Sequence, residues 1–574
     1  MNTAEYLIKK LEELGINDFF GLPGDYNFNI LYAVEKNPNT KWIGCTNELN
    51  AGYAADGYAR MRGYGSIITT YGVGELSAMN AIAGSYAENI PVINIVGTPA
   101  TFDTDKKILR HHCVQDADYH KFYNAYKQIT AAAAYLTRDN AKIEIDRVLK
   151  TFVKEKKPVY IAIPLDIAEM EISEREANYN WSSNEKLLEE IANKISKKIN
   201  EAKRPVILGD ALIKRFDATI EYQEFVSKTQ IPTTNFLMGT NIIDMNLENY
   251  IGGYFYKYRN PTVQEAVENS DCLISVGPIY TDLNSFGYNI PYNINNHIAI
   301  YGTYTYFEGK KYENIKMKDL LEKITKDITP KEMQTKDFEI GYNKVESTKE
   351  PITNEYVYSR IQEFLKENDI VVSEVGMIPY GISMMKIPHN IDVQLQLLWA
   401  SIGWATPATL GICSAKPSSR VILITGEGAH QLTCMEIGNI IQQGFKPVII
   451  VINNNGYTTE RILSNKPNNK INDIVQLNYS KFARVFDGDI WATRATTKED
   501  FDKALKVTQI MNKLCYIEVC TESMDMPKLM EDMAQGFQRE TNTTDSLQQE
   551  NQVSECDFFE DISYETVVHK KFGE

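Results

Sequence analysis

Short runs of apolar, β-branched residues alternate along most of the chain with stretches whose apolar residues recur at helical spacing. Residues 421–425 and 448–452 are apolar runs typical of buried strands. Residues 432–443 between them carry a helical pattern that stops at Gly444, and glycine commonly ends helices. A strand, a helix and a strand of this length must place the two strands parallel, so this stretch predicts part of an open α/β sheet.

The same alternation divides the whole chain. We predict an α/β protein with three doubly wound parallel-sheet domains, over residues 1–170, 187–328 and 353–540. Polar, irregular sequence at 170–186 and 329–352 predicts two linkers. Residues 541–574 are too polar to build a core, and we expect a partly disordered extension. The predicted strands of the first two domains include residues 92–96, 158–164, 206–208, 272–276 and 297–301.

Composition narrows the classes of function. A chain of 574 residues is too long for one hydrophobic core. Its net charge of -16 argues against nucleic acid as a partner. The N-terminal residues lack a signal-peptide pattern, and no apolar run approaches the length of a membrane span. The eight cysteines are scattered without a CxxC pair, so neither a zinc site nor a disulfide framework is indicated. We therefore expect a cytoplasmic protein.

Three oxygen donors follow the two strands of the first stretch. Glu427 and Asn454 come just after successive strands, and Gly456 can offer its backbone carbonyl. The carboxyl ends of parallel strands form the edge at which open α/β sheets bind ligands. An all-oxygen set suits Mg²⁺ or Ca²⁺, and Mg²⁺ usually completes its shell with water and phosphate oxygens. The alternative is a parallel-sheet turn made of ordinary turn residues.

This stretch also resembles the signature of thiamine diphosphate enzymes, which runs from a G-D-G turn to an N-N turn. The resemblance is strongest to the pyruvate and indolepyruvate decarboxylase family, through residues 453–460, NNNGYTTE. Two positions depart from the family pattern: Glu427 replaces an aspartate and Ala429 replaces a serine. The resemblance covers nearly the whole chain and implies pyrimidine-binding, middle and diphosphate-binding domains, in that order.

The resemblance implies where cofactor and metal would bind. Mg²⁺ would be held by Glu427, Asn454 and Gly456. In W-A-S-I-G-W, which resembles the family's W-G-S-I-G block, Ile402 would be the apolar wedge that bends the cofactor. Gly376 belongs to an E-V-G block that lacks the family's threonine. The residues implied to contact thiamine diphosphate are Thr70, Gly376, Ala400, Ile402, Gly428, Ala429, Asn454, Gly456 and Tyr457.

In the first domain the resemblance implies catalytic groups. Glu48 would hydrogen-bond the aminopyrimidine ring of the cofactor, and its alternative role is that of a plain acid at a helix N-terminus. His111 and His112, together with Asp25, would form a polar cluster above the thiazolium; a surface loop is the alternative. Adjacent histidines are expected to point in different directions, which argues against metal chelation by both. Glu460 is a further candidate for proton transfer.

The size of the substrate follows from four aligned positions. Pyruvate-preferring family members carry larger residues there, so we expect spare volume and a 2-oxo acid larger than pyruvate, such as phenylpyruvate, indolepyruvate or a branched acid. The predicted substrate-facing residues are Leu283, Pro379, Thr459 and Leu463.

The resemblance further implies a decarboxylase that releases an aldehyde from a small 2-oxo acid. Its site would span two chains, so that a homodimer is the minimum unit and a homotetramer is expected. An acetolactate synthase-like carboligase is the first alternative, and the His-His pair argues against it. The second alternative is a cofactor-binding homologue that has lost activity, an interpretation that Glu427, Ala429 and Val375 keep open.

Overall fold

The structure is a computed structural model, and it describes residues 1–174, 176–254, 261–285, 296–331, 341–388, 390–464 and 466–532. The extension predicted at 541–574 lies outside the described residues. Three six-stranded sheets, one per predicted segment, form the described chain and confirm the predicted α/β fold class. No helix of the described residues is both long enough and apolar enough to cross a bilayer.

The N-terminal sheet is fully parallel and has the strand order β2-β1-β3-β4-β6-β5. Its central strands β3 (Gly65–Thr70) and β4 (Val92–Thr98) are buried along their whole length, as near-continuous apolar runs require in a parallel sheet. Its other strands are β1 (Asp18–Gly21), β2 (Lys41–Gly44), β5 (Ala132–Tyr135) and β6 (Val159–Pro164). Its helices are α1 (Thr3–Glu13), α2 (Phe28–Lys36), α3 (Glu48–Arg62), α4 (Val73–Ala87), α5 (Thr101–Lys106), α6 (Lys121–Tyr126), α7 (Ala141–Glu155) and α8 (Leu165–Ala168).

The middle sheet differs from the prediction at one edge. Its order is β12-β11-β10-β9-β7-β8, and β11 and β12 run antiparallel because short turns connect them to the preceding strand. The strands are β7 (Pro205–Gly209), β8 (Thr233–Asn235), β9 (Cys272–Val276), β10 (His297–Ile300), β11 (Tyr304–Phe307) and β12 (Lys310–Glu313). The helices are α9 (Glu185–Glu201), α10 (Leu212–Arg215), α11 (Thr219–Thr229), α12 (Pro261–Glu268), α13 (Asp282–Ser285) and α14 (Met317–Asp327).

The C-terminal sheet is again fully parallel, in the order β14-β13-β15-β16-β18-β17. Its strands are β13 (Ile370–Ser373), β14 (Asp392–Leu395), β15 (Val421–Gly426), β16 (Val448–Asn453), β17 (Ile490–Ala495) and β18 (Leu514–Cys520). Its helices are α15 (Asn354–Phe364), α16 (Ile378–Ser383), α17 (Ala405–Ala415), α18 (Glu427–Thr433), α19 (Ile437–Gln442), α20 (Thr458–Leu463), α21 (Tyr479–Phe482) and α22 (Lys498–Thr508).

The helix predicted over residues 432–443 was wrong in its start and its continuity. The chain becomes helical at Glu427, and a 3₁₀ turn at Cys434–Glu436 separates α18 from α19. The apolar spacing continues through this turn, so the sequence pattern cannot reveal it. Gly444 follows the end of α19 with a positive φ of 74°, as a glycine that ends a helix does.

Helices α3 and α17 join the N-terminal and C-terminal domains at very short range. A methyl group added to Gly411 would lie 1.8 Å from the carbonyl oxygen of Ala54, and one on Gly57 would lie 2.3 Å from that of Ala408. Only glycine fits at these two crossing points, so the two helix backbones lie against each other.

A buried ionic network fixes the same interface. The Arg60 guanidinium donates to Asp56 at 2.7 Å and to Glu88 at 2.8 Å, and all three side chains are buried. From the C-terminal domain, the Trp404 indole donates to Asp56 at 2.9 Å, and Arg60 lies 4.6 Å from the centre of its ring. Arg60 also donates to the Leu395 carbonyl, at the end of β14.

This network generates a stability prediction. Asp56→Ala removes one of the two carboxylates that pair with Arg60, and it leaves the Trp404 N–H without its acceptor. Removing one partner of a buried ion pair costs about 3–5 kcal/mol, so we expect a melting temperature several degrees lower. Glu190→Ala is the matched control, because Glu190 pairs with Lys194 on the surface and such a pair contributes about 0–1 kcal/mol. Equal melting temperatures for the two variants, measured by scanning calorimetry, would contradict the prediction.

Candidate active site

A cavity of about 480 Å³ opens at the carboxyl edge of the C-terminal sheet, and α13 of the middle domain forms part of its wall. The ends of β15 and β16 supply the two turns at which the sequence predicted cofactor contacts. The predicted residues that line this cavity are Leu283, Gly376, Ala400, Ile402, Glu427, Gly428, Ala429, Asn454, Gly456, Tyr457, Thr459, Glu460 and Leu463.

The three predicted metal ligands converge within this cavity. Glu427 Oε1 accepts a hydrogen bond from the Gly456 N–H at 2.8 Å. One terminal atom of the Asn454 amide lies 3.2 Å from Glu427 Oε1 and 2.8 Å from the Gly456 carbonyl oxygen. Neighbouring ligands around an octahedral Mg²⁺ are about 2.9 Å apart, since the metal–oxygen distance is 2.0–2.1 Å. These separations fit the ion.

The Asn454 amide can serve the site in either orientation. With its hydrogen bonds satisfied, its nitrogen faces Glu427 and Gly456 while its oxygen accepts from the Thr458 hydroxyl at 2.9 Å. A half-turn of the amide presents the oxygen to a cation instead. Glu427 is longer than the family's aspartate, yet its carboxylate stays at this turn, because it accepts the Gly456 N–H. Burial raises the pKa of its carboxyl to about 7, and a cation among these oxygens would favour the ionised form.

Close packing shapes the side of the cavity at which the sequence predicted contacts to the cofactor. A methyl group on Gly428 would lie 2.5 Å from the Tyr457 ring, so this glycine lets the β15 and β16 turns approach each other. Ala400, which stands in place of the family's glycine, adopts φ 51°, a left-handed conformation unfavourable for alanine. The half-exposed Ile402 projects into the same space.

Glu374 supports the cavity wall, and the sequence analysis did not predict this role. Its buried carboxylate accepts from the Val375 N–H at 3.1 Å and from the Ala405 N–H at 3.4 Å. It thereby ties the turn that carries Gly376 to the start of α17. Burial raises the pKa of Glu374 to about 7. The sequence could have indicated this role, because Glu374 directly follows the buried strand β13.

The lining of the cavity is mostly apolar, and it includes three of the four residues predicted to face a substrate. Leu283, Thr459 and Leu463 line it as expected. Pro379 does not: it is buried within α16, and its neighbours Ile378 and Tyr380 line the cavity. Position along the chain cannot distinguish adjacent residues of a helix whose orientation is unknown. The lining residues not predicted from the sequence include Asp282, Val375, Met377, Leu397 and Met530.

All charged side chains among the described residues that line the cavity are acidic. Asp282, Glu427 and Glu460 are its carboxylates, and no lysine, arginine or histidine occurs among the described residues that line it. A bound substrate carboxylate would therefore find no positively charged side chain in this half of the site.

A second group of predicted residues lies in the N-terminal domain. His111 Nε2 lies 3.1 Å from Asp25 Oδ2, and the rings of His111 and His112 are 4.5 Å apart. The expectation that adjacent histidines point in different directions was wrong, because His112 adopts a left-handed backbone with φ 68° and turns its ring to the side of His111. Burial, and then the charge of His111, lowers the pKa of His112.

Glu48 and Thr70 lie together at the carboxyl edge of the N-terminal sheet. Glu48 is the first residue of α3, whose N-cap Asn47 accepts from the Asn50 N–H. A methyl group on Gly74 would lie 3.1 Å from both Glu48 Oε1 and Thr70 Cγ2. The Thr70 hydroxyl is buried and has no hydrogen-bond partner within the described residues.

Within one chain the two groups stay apart. Asp25, Glu48, Thr70, His111 and His112 do not line the cavity that the other predicted residues share. Each domain therefore presents half of the predicted constellation.

Comparison with known families assigns all three domains. The chain matches three family models: the thiamine pyrophosphate enzyme N-terminal TPP binding domain over residues 1–122, the central domain over 192–313, and the C-terminal TPP binding domain over 375–519.

Curated relatives match over most of their length. A pyruvate decarboxylase of Kluyveromyces lactis is 34% identical, and pyruvate decarboxylase isozyme 2 of Saccharomyces cerevisiae is 33% identical; each match covers 93% of this chain and 98% of the relative. An alpha-keto-acid decarboxylase of Mycolicibacterium paratuberculosis is 32% identical over 92% of this chain and 95% of its own length. The chain therefore belongs to the thiamine diphosphate-dependent 2-oxo acid decarboxylases.

Proposed function

We propose that two copies of this chain build each active site, and that the site converts 2-oxo acids larger than pyruvate to aldehydes with the help of Mg²⁺. The observation that carries the proposal is the division of the predicted residues into two halves that one chain does not bring together. In a C₂ dimer, the N-terminal half-site of one chain can face the cavity of its partner, so each chain serves two sites.

The surface around the cavity supports a dimer. Val73 and Leu76 lie one turn apart on the exposed face of α4. Trp399, whose indole donates to Asn80 of the same helix, is 42% exposed. Ile402, Leu432 and Met435 of the C-terminal domain are further exposed apolar residues. Exposed apolar surface of this kind marks interaction sites, and it borders the half-site that needs completion. The expected tetramer remains a prediction.

The chain supplies binding, orientation and proton transfer. When bound, thiamine diphosphate supplies the carbon nucleophile and the electron sink for decarboxylation. Glu427, Asn454 and the Gly456 carbonyl would hold Mg²⁺ beside the diphosphate, and Ile402 would support the bend of the cofactor. Glu48 would accept and return a proton at the aminopyrimidine ring. Asp25, His112 and Glu460 would exchange protons with the substrate carbon and the departing aldehyde.

The substrate preference rests on the apolar walls near Leu283, Thr459 and Leu463. Each methylene buried there gains about 0.8 kcal/mol, which is roughly fourfold in catalytic efficiency. We expect phenylpyruvate, indolepyruvate or branched 2-oxo acids to show higher kcat/KM than pyruvate in an assay that detects the aldehyde. Thr459→Ile narrows the cavity and should shift the preference towards pyruvate. A wild-type preference for pyruvate over every larger acid refutes this assignment, and an acyloin as main product would favour the carboligase.

Glu48→Gln tests the role of the N-terminal half-site. The amide keeps the shape of the side chain but cannot exchange a proton with the pyrimidine, which weakens the proton shift onto the ring. We expect kcat to fall by orders of magnitude while the melting temperature and the binding of thiamine diphosphate persist. His112→Ala should slow the reaction less severely, since it removes one of several proton-transferring groups. Near-wild-type turnover of Glu48→Gln would exclude the proposed mechanism.

Removal of the metal tests the other half-site. Dialysis against EDTA at mildly alkaline pH should lower the melting temperature, and added Mg²⁺ with thiamine diphosphate should restore it. A ligand at 100 times its Kd stabilises the native state by about 2.7 kcal/mol.

Glu427→Asp restores the family's ligand. We therefore expect half-maximal activity at a lower Mg²⁺ concentration and an unchanged kcat at saturating Mg²⁺. A higher Mg²⁺ requirement of Glu427→Asp would show that the turn has adapted to glutamate. In the EDTA experiment, an unchanged melting curve would contradict the prediction that metal and cofactor stabilise the native state of this chain.

A further inference from the structure

Glu436 connects the C-terminal domain to the segment that carries Glu48 in the same chain. The 3₁₀ turn between α18 and α19 places its carboxylate at the N-terminal domain, where it is completely buried. Glu436 Oε2 accepts from the backbone N–H of Thr46 at 3.2 Å, from the Thr46 hydroxyl at 2.5 Å and from the Asn50 side chain at 2.8 Å. Its other oxygen accepts from Asn439 at 2.7 Å. One carboxylate thus satisfies three donors of another domain.

These donors lie on both sides of Glu48. Thr46 precedes it by two residues and Asn50 follows it by two, and the Asn50 side chain also donates to the Thr46 hydroxyl at 2.8 Å. Asn47, between Thr46 and Glu48, caps the same helix through the Asn50 N–H. The first turn of α3 is therefore fixed at two points by a single side chain. Hydrogen bonds to a charged acceptor are stronger than neutral ones, so this attachment is rigid.

We infer that Glu436 is a positioning residue for Glu48, and that the C-terminal domain of each chain sets the geometry of the site whose cofactor its partner holds. This inference rests on the proposed function, in which Glu48 reaches the partner's cavity. Glu436 itself is not among the described residues that line the cavity of its own chain. Its effect should therefore be felt in the neighbouring site rather than in its own.

The first test needs neither cofactor nor turnover. Glu436→Met removes every acceptor at similar volume, while Glu436→Gln retains one acceptor oxygen. Amide hydrogen exchange of the peptide over residues 44–52, measured by mass spectrometry on the cofactor-free protein, should accelerate about tenfold or more in the methionine variant and less in the glutamine variant. Thr46→Val should act in the same direction and Thr46→Ser should not, because only serine keeps the hydroxyl donor. These two variants decide the point even if Glu436→Met does not fold. Unchanged exchange in Glu436→Gln and Thr46→Val would overturn the inference.

The second test locates the effect in a mixed dimer, with Glu48→Gln as a silencing substitution. When Glu436→Met and Glu48→Gln are on different chains, the remaining site uses the Glu48 of the chain that carries Glu436→Met. When both are on one chain, the remaining site uses an unperturbed Glu48 and the C-terminal domain that carries Glu436→Met. We expect kcat of the first dimer to fall roughly tenfold or more relative to a dimer with Glu48→Gln alone, since small misplacements of a reacting group are costly. The second dimer should stay within about twofold of that reference.

The alternative outcomes separate the inference from the proposed function. Loss in the second dimer only would mean that Glu436 serves the cavity of its own chain. Loss in both dimers would mean a general destabilisation. Either result overturns the inference. Full activity of the Glu48→Gln homodimer would instead refute the proposed function, while the exchange measurement on the cofactor-free protein would still report whether Glu436 holds the segment.

Discussion

The burial of the Arg60 guanidinium between Asp56 and Glu88 constrains the positions of the first and third domains. A buried charge of this kind is stable only when its partners are in place and their remaining hydrogen bonds are satisfied. Ser85 of the N-terminal domain donates to Asp56, and the C-terminal domain supplies two further bonds: the Trp404 indole donates to Asp56, and the Leu398 N–H donates to Glu88 at 3.0 Å. The segment that bears Ala400 and Ile402 lies between these two attachments. The cavity wall is therefore held by the same network that fixes the domain interface.

The close contact of α3 with α17 has the same consequence for the other half-site. Glu48 begins α3, and the backbone of that helix lies directly against α17 at Gly411 and Gly57. With Glu436 attached to its first turn, the helix has little freedom to move relative to the C-terminal domain. In the proposed dimer, these contacts give each chain a fixed geometry between its two half-sites. The position of each half-site depends on contacts that lie outside it, such as those of Arg60 and Glu436.

The sequence allowed the sheets to be predicted well and their interfaces poorly. Near-continuous apolar runs such as 272–276 identify buried parallel strands because both faces of such a strand are covered. Asp56 and Arg60, in contrast, are four residues apart on a helix and are expected to form an ordinary exposed pair. Their burial depends on partners distant in sequence, including Glu88, Leu395 and Trp404. The side on which two adjacent imidazoles lie could not be predicted either, since it depends on the left-handed φ of His112.

For the site itself, the resemblance identified residues whose chemistry alone was not distinctive. Ile402 would otherwise be assigned to a hydrophobic core, yet it is partly exposed at the cavity. Glu436 was missed because a buried acid on an apolar helical pattern gives no signal until its partners in another domain are known. At positions 400, 427 and 429 the turns of this cavity carry residues that differ from the family pattern, and Ala400 adopts a left-handed backbone there.

The single sign of charge in the cavity has a consequence for the direction of the reaction. In the proposed function a 2-oxo acid binds in the cavity that Asp282 and Glu460 line, and no basic side chain of the described lining offsets their charge. The repulsion ends when the substrate carboxylate leaves as neutral carbon dioxide, so it destabilises the reactant more than the product state. The electrostatic field that weakens the encounter thus favours cleavage of the carbon–carbon bond.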